Sequence, residues 1–205
     1  AVKRIVALSS TSRFTKVEST EPEEQRTAQR LIAAEETLQE WAEEHSVEWI
    51  ILRPTMIYGL GRDKNVSQIA RIIRRWGFFP LLGSGKGLRQ PVHADDVAKA
   101  CINALNSREV KNRGYNLSGG ESLPYREMIS RIFLALKRKP RLFHLPRWGF
   151  QGALLLLRLI PRYRKWNIAM VDRIDKDIVF DHAEAARDLG FKPRNFVIED
   201  KDLPH

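Results

Sequence analysis

An α/β fold is the class this sequence predicts, on three observations. Residues 2–8 and 47–52 are short, β-branched runs of the kind that form buried strands. Between them, Ala28, Leu31, Ile32, Leu38, Trp41 and Ala42 recur at helical spacing within 21–45, so one long helix separates the two strands. Pro54 then removes a backbone donor and stops the second strand. Gly59-Leu60-Gly61 gives a flexible turn past its carboxyl end, the edge where open α/β sheets bind ligands.

The chain's 205 residues suffice for one domain or slightly more, with a real core. Ordinary apolar content argues against disorder. A single cysteine, Cys101, excludes an internal disulfide framework and fits a reducing compartment. It lies in the apolar pattern of 97–105, so a buried structural thiol is expected. No signal peptide opens the chain and no uninterrupted apolar run reaches transmembrane length, which points to the cytoplasm.

The net charge of +10 raises nucleic-acid binding as a function. Its distribution argues otherwise: 17–48 is acidic, and the excess base lies mostly in 71–89 and 137–165. No zinc-finger, helix-turn-helix or RNA-binding sheet signature accompanies the basic stretches, so no nucleic-acid partner is expected. A solvated face, or a site for phosphate-bearing small molecules, accounts for the base more simply. His93 has no second His or Cys at metal-site spacing, and no metal is expected.

Taken in order, Ser9-Ser10-Thr11-Ser12 ends the first strand, as turn formers or as hydrogen-bond and proton donors to a substrate. Ser19 and Thr20 offer capping hydroxyls to the helix at 21–45, with acid in its first turn and Pro22 near its start. Residues 63–67 are a polar turn, and 67–76 a basic amphipathic helix that stops before Gly77. Gly83-Ser84-Gly85-Lys86-Gly87 reads as a hairpin turn or a phosphate-cradling loop, with neither GxGxxG nor GxxxxGK[ST] spacing. Asp95 is placed to cap a helix running from Asp96 to 106. A strand and turn at 113–120 follow. Ser122 is the expected cap of a helix that buries Met128, Ile129, Ile132, Phe133 and Leu136. A surface connection at 137–147 holds a short strand at 142–145. Residues 148–160 are the most apolar stretch, too short to span a bilayer: a core helix of a second lobe, or a membrane-surface helix flanked by Arg158, Arg162, Arg164 and Lys165. Asp181 caps the last helix and Gly190 ends it.

Several stretches, in this order, carry a family resemblance. They are Ile5-Val6-Ala7-Leu8-Ser9-Ser10-Thr11, then Arg53-Pro54-Thr55-Met56-Ile57-Tyr58-Gly59, then Arg89-Gln90-Pro91-Val92-His93-Ala94-Asp95-Asp96-Val97-Ala98. Tyr115-Asn116-Leu117-Ser118-Gly119-Gly120 and the closing run from Phe180 to Pro193 complete the set. Together they resemble the extended short-chain dehydrogenase/reductase family, the nucleotide-sugar epimerases and dehydratases, with the nearest look to bacterial members of surface-polysaccharide pathways. The resemblance implies the C-terminal half of a Rossmann-type doubly wound parallel sheet plus a small, mostly helical substrate-binding lobe. Residues 1–59 and 93–118 fall to the sheet domain, 60–92 and 119–205 to the lobe. Nothing matches the half that carries GxGxxG, so the chain is expected to be a portion of a longer protein, prone to self-association through uncovered sheet edges.

The resemblance also implies NAD or NADP in the parent protein and a nucleotide-sugar substrate. Thr11, with Ser10 next, matches the catalytic Ser or Thr; Ser9, Pro54 and Tyr58 match cofactor-binding positions. Arg89 matches the position that contacts the substrate diphosphate, a task for which a planar donor fork is suited, and Asn65 and Arg173 are the further substrate-binding candidates. One departure is large. Active members carry Tyr-x-x-x-Lys on the long helix, and those positions fall here on Thr27 and Leu31. A leucine can neither hold a charge nor donate a hydrogen bond. Two functions are therefore expected. One is an NAD(P)-dependent epimerase, dehydratase or reductase, with this chain inactive by itself. The other is a non-catalytic relative that binds a nucleotide or scaffolds a membrane-associated assembly, with peripheral contact at the inner membrane face through 148–165.

Overall fold

Strand β2 (Glu48–Pro54) explains the first half of the architecture, because its side chains are buried on both faces. β1 (Arg4–Leu8) and β7 (Arg113–Leu117) flank it, both parallel, in the order β1-β2-β7. Successive residues point to opposite faces of a strand. Trp49 and Ile51 accordingly pack with Ile5, Ala7, Leu38 and Ala42 on one side. Ile50 and Leu52 pack with Val6, Val97, Ala100, Ala104 and Leu189 on the other. A strand apolar on both faces needs helices on both, which is the doubly wound arrangement. Each such aliphatic side chain contributes about 1.5–3 kcal/mol on full burial.

The computed structural model describes residues 2–145 and 174–204, which fall into two units. The first joins Ala1–Tyr58, Gln90–Glu121 and Val179–Phe196. Its helix α1 (Ser12–Thr15) is a single turn, and α2 (Pro22–Glu44) makes the long crossover from β1 to β2. Pro22 occupies the first turn of α2, where its missing N–H costs nothing. The expected side-chain cap is absent: Glu21 is the N-cap residue, while Ser19 Oγ accepts from the Glu21 amide and donates to Glu24. Trp41, placed in the buried stripe by spacing, is 44% exposed and stacks on His45.

Helix α4 (Ala94–Asn106) begins earlier than expected. His93, not Asp95, is its cap, with ring Nδ1 accepting from the Asp95 amide at 3.1 Å. Short β3 (Ile57–Tyr58) and β6 (Val92–His93) pair in parallel. Cys101 is half-buried against the α4 side of the core, and burial pushes its thiol pKa up. The last helix, α6 (Ala183–Leu189), also lies in this unit, although 119–205 was assigned to the lobe. Leu189 and Phe191 enter the core beside β7, and the Tyr115 hydroxyl donates to Asp188 at 2.9 Å. Asp181 Oδ1 accepts from the Ala183 amide, and Gly190 closes the helix at φ 62°.

The second unit comprises Gly59–Arg89, Ser122–Ile178 and Val197–His205. Helix α3 (Val66–Trp76) buries Ile69, Ala70 and Ile73, and α5 (Tyr125–Ala135) buries Met128, Ile129, Ile132 and Phe133. Asp63 holds the start of α3 through the amides of Asn65 and Ser67 and the Ser67 hydroxyl. β4 (Phe79–Leu82) pairs in parallel with β9 (Leu142–Leu145). β5 (Leu88–Arg89) pairs antiparallel with β8 (Leu123–Pro124). That pairing delays α5, so Pro124 and not Ser122 stands at its N-cap. Among the described residues no helix is long and apolar enough to cross a membrane. The helix expected at 148–160 lies outside the described residues.

Candidate functional site

The carboxyl edge of the parallel sheet is knitted by hydrogen bonds that continue past the strands. The Ser9 amide donates to Leu52 O at 2.8 Å, that of Thr11 to Pro54 O at 3.2 Å, and that of Thr55 to Leu117 O at 2.9 Å. The Gly119 amide reaches Gln90 O at 3.3 Å. Ser9-Ser10-Thr11, Pro54-Thr55 and Ser118-Gly119 are thereby gathered at one edge, where open α/β sheets place their ligands.

Each candidate at this edge has a definite local role. Thr11 is 4% exposed, and its hydroxyl donates to Pro54 O at 3.3 Å. Ser10 Oγ accepts from the Ser12 amide, a local turn bond. Pro54 is buried, and Tyr58 is fully buried, edge-on to His93 and Phe196. Ser9 Oγ donates to Glu35 at 2.5 Å.

Glu35 is the residue sequence reasoning missed. It stands on α2, 4% exposed, and its carboxylate receives a two-pronged grip from Arg53 with contacts of 2.7–3.1 Å. Arg13 pairs with the same carboxylate. Both guanidinium groups also lie over the ring of Phe14, at 5.2 and 5.6 Å. Burial pushes the Glu35 carboxyl up, but hydrogen bonds from Arg53 and Ser9, with the charges of Arg53 and Arg13, outweigh it and hold the pKa below its ordinary value. A signal was present: 35 falls four residues after Leu31 and three before Leu38, inside the apolar stripe.

The two relay positions are different in kind. Thr27 is exposed on α2 and its hydroxyl donates to Glu23 O at 2.8 Å; Leu31 is half-buried. With the Thr11 hydroxyl also engaged, Thr27 and Leu31 supply neither the phenol nor the ammonium of a Tyr-x-x-x-Lys relay.

In the second unit, Arg89 is 5% exposed and donates to Leu88 O and Lys176 O at 2.7 and 2.8 Å, with its guanidinium 5.5 Å from the Tyr125 ring centre. Asn65 is exposed at the start of α3. Arg173 lies outside the described residues. The Gly-rich loop at 83–87 is an anion cradle already filled by the protein's own carboxylate. Asp175 accepts from the amides of Ser84 and Gly85 and from the Ser84 hydroxyl, each at 2.9 Å. Gly83 stands at φ 71°, and a Cβ there would also come to 2.5 Å from that side chain, so the position favours glycine. Burial raises the Asp175 pKa, but the bonds from the Ser84 side chain and the loop amides together hold it below the ordinary value. Lowered in the folded state, this carboxyl stabilises above its unfolded pKa of about 3.9 and ceases to do so as pH falls through the folded value. Asp175→Asn should therefore flatten the loss of stability as pH falls through and below the unfolded value of about 3.9, read by urea unfolding. An acid limb unchanged from the parent would contradict this assignment.

A parallel sheet wound on both faces, with hydroxyls and glycines at its carboxyl edge, defines a Rossmann-type protein. The family model for the NAD dependent epimerase/dehydratase family matches residues 1–118, and the chain belongs to that family. It is 24% identical over 160 residues to the UDP-glucose 4-epimerase of Vibrio cholerae, covering 78% of this chain and 46% of that protein. It is 27% identical over 157 residues to the mitochondrial NADH dehydrogenase [ubiquinone] 1 alpha subcomplex subunit 9 of Arabidopsis thaliana, covering 71% and 39%. The solved UDP-glucose 4-epimerase of Thermotoga maritima with UDP-glucose shares the fold at a TM-score of 0.66 and 19% identity, over 94% of this chain and 59% of that one. The chain spans under half the length of the curated relatives it matches.

Proposed function

We propose that this chain is a portion of an NAD(P)-dependent oxidoreductase of the epimerase/dehydratase type, acting on a nucleotide sugar. One observation carries the reading: the family match over residues 1–118 covers the sheet edge where Ser9, Ser10, Thr11, Pro54 and Thr55 are gathered. In this reading Ser9, Pro54 and Tyr58 serve the cofactor, Arg89, Asn65 and Arg173 the nucleotide sugar, and Thr11 with Ser10 the reacting alcohol. The sugar product would serve surface polysaccharide synthesis in the cytoplasm. UDP-glucose, bound in the Thermotoga maritima structure, is the substrate to try first.

A second reading, binding without turnover, is favoured by Thr27 and Leu31 at the relay positions and by the engaged hydroxyl of Thr11. The Arabidopsis thaliana relative, a subunit by name, is a precedent for a family chain inside an assembly. The test uses the full-length protein with UDP-glucose and either NAD or NADP, following turnover by product analysis and binding by calorimetry. Turnover supports the first reading; heat of binding without turnover supports the second; neither signal overturns both for this ligand. Thr11→Val should lower turnover at least about tenfold if its hydroxyl works on the alcohol proton. Unchanged turnover removes Thr11 from the chemistry.

A further inference from the structure

The two units differ sharply in charge. The first carries 14 Lys and Arg against 17 Asp and Glu, a net −3, while the second carries 21 against 8, a net +13. Among the described residues the basic unit also exposes three aromatic side chains: Trp76 is 42% exposed, Phe78 41% and Phe143 59%. The rings form one patch, with Trp76 stacked on Phe78 at 6.0 Å and Phe78 edge-on to Phe143 at 6.5 Å. They line an open groove of about 480 Å³ with Gly77, Arg141 and Leu142.

Burial of α3 through Ile69, Ala70 and Ile73 turns Arg71 and Arg75 outward, one helical turn apart and directly before Trp76. Arg71, Arg75 and Arg141 are exposed and make no ion pair among the described residues. An occupant of this face must accept rings and meet uncompensated positive charge. A second copy of the same face is disfavoured by like-charge repulsion. Nucleic acid is a poorer fit, because Arg141 is the one polar side chain among the residues lining the groove, and no base-edge reader accompanies it. A membrane interface fits both properties, since Trp and Phe rings settle at headgroup depth and cations meet anionic phosphates.

We propose that the second unit docks peripherally on an anionic lipid surface through Trp76, Phe78 and Phe143, with Arg71, Arg75 and Arg141 against the headgroup phosphates. It is tested by sedimenting the full chain with vesicles of phosphatidylcholine alone and of phosphatidylcholine with phosphatidylglycerol, at low and high salt. Partitioning onto anionic vesicles only, weakened by salt, is the expected result. R71E/R75E/R141E should weaken it at least about 100-fold, at ~1 kcal/mol for each arginine lost from the surface and further repulsion from the added carboxylates. W76A/F78A/F143A should weaken it at least about tenfold while leaving the charge in place. Absence of binding, equal binding to both vesicles, or wild-type partitioning by either variant would overturn the proposal. Tighter capture by a single-stranded oligonucleotide than by anionic vesicles would overturn it in favour of nucleic acid. The comparison of vesicles needs no variant, so a variant that fails to fold leaves it decisive.

Discussion

Replacing Glu35 with alanine should lower the unfolding free energy by about 3–5 kcal/mol, the cost of removing one partner from a buried ion pair. The magnitude follows from what is left behind. Arg13 and Arg53 would lie beside each other over Phe14 with no carboxylate between them, and Ser9 would lose its acceptor. Glu35→Gln separates charge from shape, keeping one oxygen acceptor, and should cost less than alanine. The pH dependence has a definite sign. The folded pKa of Glu35 is lowered, so its contribution is fully present above the unfolded value of about 4.3 and is lost as pH falls through the folded one. Wild type should lose stability over that range faster than Glu35→Gln, by thermal or urea unfolding. Equal slopes, or a loss below about 1 kcal/mol for the alanine variant, would mean that the cluster is held by packing and not by the carboxylate.

Gly119→Ala is the second large effect, about 2–3 kcal/mol of destabilisation. An added Cβ would stand 2.0 Å from Pro91 O and 2.8 Å from its carbonyl carbon. Both are backbone atoms, so no rotamer change relieves the contact. The Gly119–Gln90 hydrogen bond at the sheet edge must break or the 90–91 segment must shift. Gly77 is the control: its Cβ would meet nothing within 4 Å, and the strain there is confined to a φ of 74°. Gly77→Ala should therefore cost about 1–2 kcal/mol. Denaturant midpoints for both variants rank the two causes, and a costlier Gly77→Ala would refute the steric account of Gly119.

Local signals and distant partners divide what the sequence disclosed from what it did not. The strands around Ile5 and Ile50, the span of α2 and the stop at Gly77 rest on neighbouring residues, and they appear in the structure nearly where spacing put them. Caps were less legible, because His93 and Asp95 are both able to hold the start of α4 and only the three-dimensional turn selects the histidine. Nothing near Glu35 in the sequence announces its ion pairs, since its partners Arg13 and Arg53 lie 22 and 18 residues away. Asp175 stands 91 residues from Ser84, and nothing near either residue announces the pairing. At the site, the motif residues were found by resemblance, but their hydrogen bonds were not. That the Thr11 hydroxyl is turned to Pro54 O depends on how β1 and β2 meet.

The first unit is assembled from three separated stretches of chain, and this has a consequence for the order in which it forms. β1, α2 and β2 are consecutive, so a growing chain can close that face of the sheet by itself. Among the described residues, the opposite face, with Ile50 and Leu52, is covered by α4 and then by Ala185, Leu189 and Phe191, which are made much later. Contacts of such sequence separation form slowly, and an uncovered apolar face is exposed to wrong partners in the meantime. Synthesis would therefore leave this face half-wrapped until residues 183–191 are made, and holding factors that recognise bare aliphatic surface would act in that interval.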